Sequence, residues 1–312
     1  MQHFSDRLAT AIRARRSVVC VGLDPALERM PPALVEKYGP QAAELGEDEA
    51  VAACFQEFCG GIIDAVAGFA ACVKPQAAYF EQYGAAGWRA LGAVIRCAHE
   101  HELLVILDVK RGDIAATGAP GFAAPGAAYG RAAFGGAPGF AAPVAGLAAD
   151  ALAASPYLGD DSLEPLVARC ADGTDVVALT RKTNPGAALL QEREVEGRPL
   201  FVHVAELVAR LGADHIGDAG CSDAGAVAGA TSPASLRLVR EALPHALLLV
   251  FGCGAQGAGA DALAGIAAGD AAGFVVNASR SIICAWRTGA AEHRRAAAAA
   301  AESMRNDLAF AP

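Results

Sequence analysis

The chain has 312 residues, of which 54% are hydrophobic and only 6% aromatic, and its formal net charge is −9. This length suits one α/β barrel, whose core must be filled mainly by Ala, Val and Leu. The acidic balance argues against a nucleic-acid surface, which needs clustered Lys and Arg, but allows a small anionic substrate in a locally basic pocket.

The N-terminal segment, MQHFSDRLATAIRARR, lacks the apolar core of a signal peptide. Its arginines resemble those of a transit peptide, but we interpret it as a surface helix that covers the bottom of the fold. No charge-free run of about 18 apolar residues occurs, so no membrane span is predicted. The nine cysteines show no CxxC spacing, which favours buried reduced thiols over disulfides or zinc. We therefore expect a cytoplasmic protein.

Eight short apolar runs alternate with helix-like stretches such as 81–101 and 232–243. The runs are continuously apolar, which is typical of parallel strands covered on both faces. Eight such strands indicate a closed barrel or a doubly wound sheet, and their number favours an α/β fold of the (β/α)₈ TIM-barrel class. The predicted strands are 17–24, 71–76, 103–110, 151–158, 176–182, 226–231, 246–253 and 273–280.

A Gly/Pro/Ala-rich segment at about 118–145 contains the octapeptide GAPGFAAP twice, and two copies are too few for a repeat protein. We expect one domain over 1–312, in which this segment is an insertion that interrupts the helix after the third strand. Further helices are predicted within 199–212 and around the alanine run 296–301.

Polar side chains collect at the carboxyl ends of the predicted strands, where the active sites of (β/α)₈ enzymes lie. Strands that simply end before a loop would explain one or two of these residues, but not so many of chemically useful types. They are Asp24, Lys74, Asp108, Lys110, Ser155, Lys182, Thr231 and Arg280.

The segment LDVKRGDI, residues 107–114, places charges close together. Alternate residues of a strand share one face, so Asp108 and Lys110 are expected to point into the barrel about 7 Å apart. Asp113 follows a glycine where the chain turns, and Lys74 ends the neighbouring strand. A structural ion-pair network at the rim would share this pattern. Alternatively, a protonated lysine can donate a proton to a developing carbanion, and fixed carboxylates can repel a substrate carboxylate before CO₂ leaves.

The segment GCGAQG, residues 252–257, matches GxGxxG between a strand and a helix. A dinucleotide site also needs an acidic residue at the end of the next strand, and FVVNAS ends without one. We therefore predict a phosphate loop after the seventh strand, paired with NASRSI, residues 277–282, after the eighth. Backbone N–H groups and the Arg280 guanidinium would hold the phosphate.

The order of GLDP, VKPQ, DVKRGDI, SPYLG, GAQG and NASRSI resembles that in the orotidine 5′-monophosphate (OMP) decarboxylases, in their longer bacterial branch, over about residues 17–285. The resemblance implies decarboxylation of OMP to UMP in de novo pyrimidine biosynthesis, with no metal and no organic cofactor. It implies that Lys110 protonates C6 of the pyrimidine. Asp108 and Asp113 would flank the carboxylate, and Lys74 would complete the charged array.

The resemblance also implies a homodimer in which Asp113 and Thr117 reach into the partner's site. This chain has Phe251 before Gly252, where the family usually has proline. The implied substrate contacts are Asp24 and Thr117 at the ribose, Ser155 at the pyrimidine, Gln256 and Arg280 at the phosphate, and Ile114.

Two other functions fit parts of the pattern. Magnesium-dependent sugar-phosphate decarboxylases and aldolases of the same barrel suprafamily share DxKxxD, but they carry an acidic residue where this chain has Lys74. A non-catalytic nucleotide-binding barrel would leave the charged cluster without a role. His99 and His101 precede the third strand, at the end of the barrel opposite the site. We interpret them as helix-end residues that favour the helix dipole, not as a metal pair.

Overall fold

A closed barrel of eight parallel strands forms the centre of the computed structural model, which describes residues 2–115, 124–252, 263, 265–268, 273–289 and 292–308. Each strand pairs with the next along the chain, and the last pairs with the first. The predicted (β/α)₈ class is therefore confirmed. The strands are β1 (Val19–Leu23), β2 (Cys72–Pro75), β3 (Leu104–Arg111), β4 (Ala151–Ala154), β5 (Asp175–Arg181), β6 (Ser222–Gly229), β7 (Ala246–Phe251) and β8 (Phe274–Ala278).

Helices connect the strands on the outside of the barrel. No described helix is both long and apolar enough to cross a membrane. A small antiparallel hairpin, Glu194–Val195 with Arg198–Pro199, lies between β5 and β6. The described helices are α1 (Phe4–Arg15), α2 (Pro32–Tyr38), α3 (Ala42–Leu45), α4 (Glu47–Val66), α5 (Ala77–Glu81), α6 (Gly84–Glu100), α7 (Pro125–Phe134), α8 (Glu164–Val167), α9 (Ala188–Gln191), α10 (Leu200–Leu211), α11 (Pro233–Ala242), α12 (Arg280–Ile283) and α13 (His293–Asp307).

Two strands differ from their predicted bounds by more than two residues at one end. Strand β6 begins at Ser222, four residues earlier than predicted, because its small residues resemble a turn in sequence although all are buried. At Gly225 a Cβ atom would lie 2.6 Å from the Leu247 carbonyl oxygen, so the close pairing of β6 with β7 requires glycine there. Strand β4 ends at Ala154, since Pro156 lacks the N–H that a continuing strand would use.

The Gly/Pro/Ala-rich segment contains helix α7, which begins with proline in its first turn. The helix after the third strand thus lies within this segment. A bridge joins Ala137 to Val144 across the second octapeptide, and Phe140 between them is fully exposed. Residues 116–123 lie outside the described residues. The assignment of 118–145 as an insertion in a single domain stays a prediction.

Helix α1 closes the bottom of the barrel, as the sequence predicts. Phe4 and Leu8 on this helix are buried in the core. The backbone N–H of Ser5 donates to Asp223 Oδ1 at 2.8 Å, and its hydroxyl donates to the carbonyl of Cys221 at 2.9 Å. Both partners lie at the amino end of β6. The eight described cysteines are free thiols, and most are buried.

A buried carboxylate at the same end ties three elements together. Asp150 accepts hydrogen bonds from Arg7 on α1 at 2.7 Å, from His99 on α6 at 2.9 Å and from the Val105 N–H on β3 at 2.9 Å. His99 therefore serves as a partner of a structural carboxylate. Burial raises the pKa of Asp150, but these hydrogen bonds outweigh it and hold the pKa below its ordinary value.

Replacing Asp150 with asparagine is expected to lower the free energy of unfolding at neutral pH by about 1–3 kcal/mol, because charge-assisted hydrogen bonds are lost. A lowered folded-state pKa stabilises the fold above the unfolded pKa. The difference in the free energy of unfolding between wild type and variant should therefore shrink as the pH falls below about 4. Urea denaturation at neutral pH and at a pH below about 4 measures this difference. Asp172→Asn is the control, since its pair with Arg169 is exposed; an equal loss in both variants would contradict the prediction.

Candidate active site

Three of the predicted catalytic residues meet at the carboxyl ends of β2 and β3. The Lys74 ammonium lies 2.8 Å from Asp108 Oδ2, and the Lys110 ammonium contacts Asp108 Oδ1. Lys74 is almost completely buried, with 2% of its side chain exposed, whereas 36% of the Lys110 side chain is exposed. One carboxylate thus bridges a buried ammonium and an accessible one.

The charges in this cluster hold one another ionised. Burial raises the pKa of Asp108, but the ammoniums of Lys74 and Lys110 outweigh it and lower the pKa to about 2. Burial lowers the pKa of Lys74, and the Asp108 and Asp24 carboxylates outweigh it, so that its pKa lies above the ordinary value. At neutral pH Asp108 is therefore ionised and the buried Lys74 beside it is protonated.

The backbone around Lys110 departs from the regular strand that the sequence suggested. Lys110 has φ = 47°, in the left-handed region, and the pairing of β3 with β4 shifts register between Leu107 and Arg111. Asp108 and Lys110 meet as predicted, but through this irregularity and not through simple alternation. Strain of this kind at a non-glycine residue persists where the surrounding structure enforces it, often at functional sites.

The turn after β3 packs closely on the end of β4. A Cβ atom at Gly112 would lie 2.7 Å from the Ser155 carbonyl oxygen, so glycine is needed there. Ser155 also donates its N–H to the Arg111 carbonyl at 2.8 Å, and it is half-buried beside this turn. The predicted pyrimidine contact therefore lies next to the charged segment.

Asp113 does not join the lysine cluster of its own chain. Its carboxylate accepts a hydrogen bond from the N–H of Ile114 at 2.8 Å, and it forms no ion pair with a described residue. Ile114 is exposed. Neither of these predicted residues forms a hydrogen bond or ion pair with Lys74, Asp108 or Lys110. Thr117 lies outside the described residues.

The remaining predicted residues lie at β1 and β8. Asp24 follows β1, and its Oδ1 atom is 4.0 Å from the Lys74 ammonium. That oxygen is buried without a hydrogen-bond partner among the described residues. Arg280 begins α12 after β8 and is exposed, with no ion pair to the described part of the chain. Gln256 lies outside the described residues.

Three further residues of the site were not assigned from the sequence. Gln76 Nε2 donates to Asp108 Oδ2 at 2.9 Å. The Lys182 ammonium lies 4.4 Å and the Lys74 ammonium 5.7 Å from the centre of the Phe251 ring. Lys182 belongs to the set of polar strand-end residues recognised in the sequence. Gln76 is the last residue of the VKPQ motif that contains Lys74, so the sequence offered a signal for it. Nothing in the sequence connects Phe251 to either lysine.

The arrangement supplies cations, not metal ligands. Both oxygens of Asp108 are occupied by ammonium groups. Among the described ranges, no three His, Cys, Asp or Glu side chains are grouped in a way that could hold a metal ion. The mouth can bind an anion, and Lys110 presents an accessible proton beside it.

Comparison with known proteins agrees with this geometry. Residues 17–300 match the family described as "Orotidine 5′-phosphate decarboxylase / HUMPS family". The chain is 43% identical to the orotidine 5′-phosphate decarboxylase of Rhodopirellula baltica, over 92% of this chain and 90% of that protein.

Two solved structures from Leishmania donovani are also similar. OMP decarboxylase superposes with a TM-score of 0.72 at 32% identity, with complete coverage of both chains. UMP synthase superposes with a TM-score of 0.70 at 33% identity, and there the match covers all of this chain but 57% of that one. By its sequence and its fold, this chain belongs to the orotidine 5′-phosphate decarboxylase / HUMPS family.

Proposed function

We propose that this chain decarboxylates OMP to UMP, as a step of de novo pyrimidine biosynthesis that needs no cofactor. The observation that carries the proposal is the buried contact of Lys74 with Asp108, which itself contacts the accessible Lys110. The curated relatives that share the fold are named for this activity.

The reaction uses the charges of the cluster directly. The Asp108 carboxylate, fixed by Lys74 and Gln76, faces the substrate carboxylate and raises the energy of the ground state. The bond between C6 and the carboxylate carbon breaks, CO₂ leaves, and the electron pair remains at C6. The Lys110 ammonium stabilises this negative charge and then donates its proton to C6.

Substrate binding is assigned around this centre. The unpartnered Oδ1 of Asp24 accepts a hydrogen bond from a ribose hydroxyl, and the exposed Arg280 guanidinium binds the phosphate. Gln256 contributes to the phosphate site, Thr117 to the ribose and Ser155 to the pyrimidine, while Ile114 adds an apolar contact. These roles follow the family motifs and stay proposals.

A magnesium-dependent activity on sugar phosphates is less compatible with the site. In that chemistry an acidic residue stands where this chain has Lys74. Here the Lys74 ammonium lies beside both Asp108 and Asp24. A divalent cation at these carboxylates would meet a fixed positive charge, which costs electrostatic free energy at short range.

We assign a cytoplasmic homodimer in which Asp113 and Thr117 of one subunit contribute to the site of the other. The Asp113 carboxylate forms no ion pair with a described lysine of its own chain, which supports this arrangement. A two-fold interface would place the same loop in both sites.

Purified protein is expected to convert OMP to UMP with and without EDTA at equal rates, because no step uses a metal ion. The loss of OMP is followed spectrophotometrically, and UMP is identified by chromatography. Full activity that depends on added magnesium would favour the sugar-phosphate class. A stable, folded protein that binds UMP but leaves OMP unchanged would favour a non-catalytic nucleotide-binding barrel.

A further inference from the structure

Lys182 stands out among the cations of the barrel mouth. It directly follows β5, and its half-buried side chain extends to the ring of Phe251, which ends β7. Distances of 4.4 and 5.7 Å from the same ring centre place the ammoniums of Lys182 and Lys74 at most about 10 Å apart, by the triangle inequality. Lys182 therefore lies at the same barrel mouth as the cluster of Lys74, Asp108 and Lys110, and it shares the Phe251 ring with Lys74.

No carboxylate of a described residue forms an ion pair with this ammonium. Within the described part of the chain the ammonium also forms no hydrogen bond, whereas the backbone N–H of Lys182 donates to Gln191 Oε1 at 2.8 Å. Cation–π attraction from Phe251 compensates only part of the lost hydration. A partly buried cation without an anionic partner is favourable when a ligand supplies an acceptor oxygen.

The positions of the few lysines in the chain also single out the barrel mouth. Of the 25 Lys and Arg residues, only four are lysines, so the chain uses arginine for nearly all of its positive charge. Three of these lysines, Lys74, Lys110 and Lys182, lie at the barrel mouth. The fourth, Lys37, lies on the outer helix α2 and pairs with Glu57. The compact ammonium of lysine is thus concentrated at the barrel mouth, whereas the rest of the chain carries almost only guanidinium groups.

The position of Lys182 relative to the substrate follows from the order of the strands. The reacting carboxylate is assigned to the ends of β2 and β3, the ribose to β1, and the phosphate to the loops after β7 and β8. Lys182 follows β5, which is separated from β3 by β4 and from β7 by β6. With the other parts of OMP assigned to those strands, we place the pyrimidine ring toward β4 and β5.

We propose that Lys182 determines substrate specificity in this site by donating a hydrogen bond from its ammonium to a carbonyl oxygen of the pyrimidine ring. The inference rests on the proposed function, since it takes the nucleotide to be OMP or UMP. Lys182 is here a base-recognising residue, and it takes no part in proton transfer to C6.

Electrostatics give this contact a pH dependence. Burial lowers the pKa of Lys182 to about 8. The Asp108 carboxylate acts in the opposite direction, and the ammoniums of Lys110 and Lys74 add to the lowering. A carbonyl acceptor favours the charged form, so binding takes up a proton once Lys182 is deprotonated. UMP affinity is therefore expected to fall as the pH rises through about 8.

The test compares UMP with ribose 5-phosphate, which has the sugar and the phosphate but no base, by isothermal titration calorimetry. Lys182→Met keeps the apolar stem against Phe251 and removes the ammonium. We expect this variant to bind UMP roughly 10- to 100-fold more weakly than wild type. Its binding of ribose 5-phosphate should be unchanged. Its UMP affinity should lose the dependence on pH near 8, and Lys37→Met should match wild type throughout.

Two results would overturn the inference. Unchanged UMP binding would show that the ammonium touches no ligand, and equal losses for both ligands would show that it acts on the phosphate. Retained binding of ribose 5-phosphate also verifies that the variant is folded. Turnover of OMP by the wild-type protein is measured on the same preparations. If the wild type does not turn over OMP, the proposed function is overturned. If it does, but Lys182→Met shows no selective loss of UMP binding, only the role of Lys182 is overturned.

Discussion

Replacing Lys110 with alanine is expected to lower kcat for OMP by at least about 10²-fold, the usual contribution of a general acid. Lys110 is the accessible ammonium beside Asp108, whereas Lys74 is buried and held by the same carboxylate. No other described cation contacts Asp108, so the proton for C6 has no substitute donor there. Steady-state kinetics with OMP measure the loss.

The fold should survive this substitution. Asp108 would still accept hydrogen bonds from Lys74 and Gln76, so its charge stays paired. The thermal unfolding midpoint of the variant should therefore stay close to that of wild type. Lys37→Met, on the outer surface, is the matched control for loss of a lysine. A folded Lys110→Ala protein that keeps more than about a tenth of the wild-type kcat would refute the assignment of the proton donor.

Mixing two inactive variants is expected to restore activity to about a quarter of the wild-type value, because a two-fold dimer shares its sites. One chain carries Asp113→Ala and the other carries Lys110→Ala. If Asp113 serves the partner's site, a mixed dimer has one site with both lesions and one with neither. Random pairing makes about half of the dimers mixed, so about a quarter of all sites become intact.

The experiment requires the chains to be unfolded together and allowed to reassort, with mixed dimers counted by native mass spectrometry. A mixture of Lys74→Ala with Lys110→Ala is the negative control. Both lysines contact Asp108 of their own chain, so every site in that mixture keeps one lesion. Mixed dimers of the Asp113→Ala pair that stay inactive would show that Asp113 serves its own subunit.

The sequence by itself determined the architecture and the centre of the site. Continuously apolar runs identify buried parallel strands, because both faces of such a strand are covered, and eight of them close a barrel. The motif around Asp108 and Lys110, with Lys74 one strand earlier, predicted contacts that the structure contains. These predictions succeed because consecutive strands along the chain are neighbours in the barrel. Residues at the ends of consecutive strands therefore lie close together in space.

Only the tertiary structure decided which residues meet from strands that are distant in sequence. The side chains of Lys74, Phe251 and Lys182 come from β2, β7 and the end of β5, and barrel closure alone brings them to one mouth. The left-handed backbone at Lys110 likewise depends on the register between β3 and β4. The burial of these side chains and the charges around them, which set their pKa values, also result from barrel closure. The residue pattern along a single strand does not determine them.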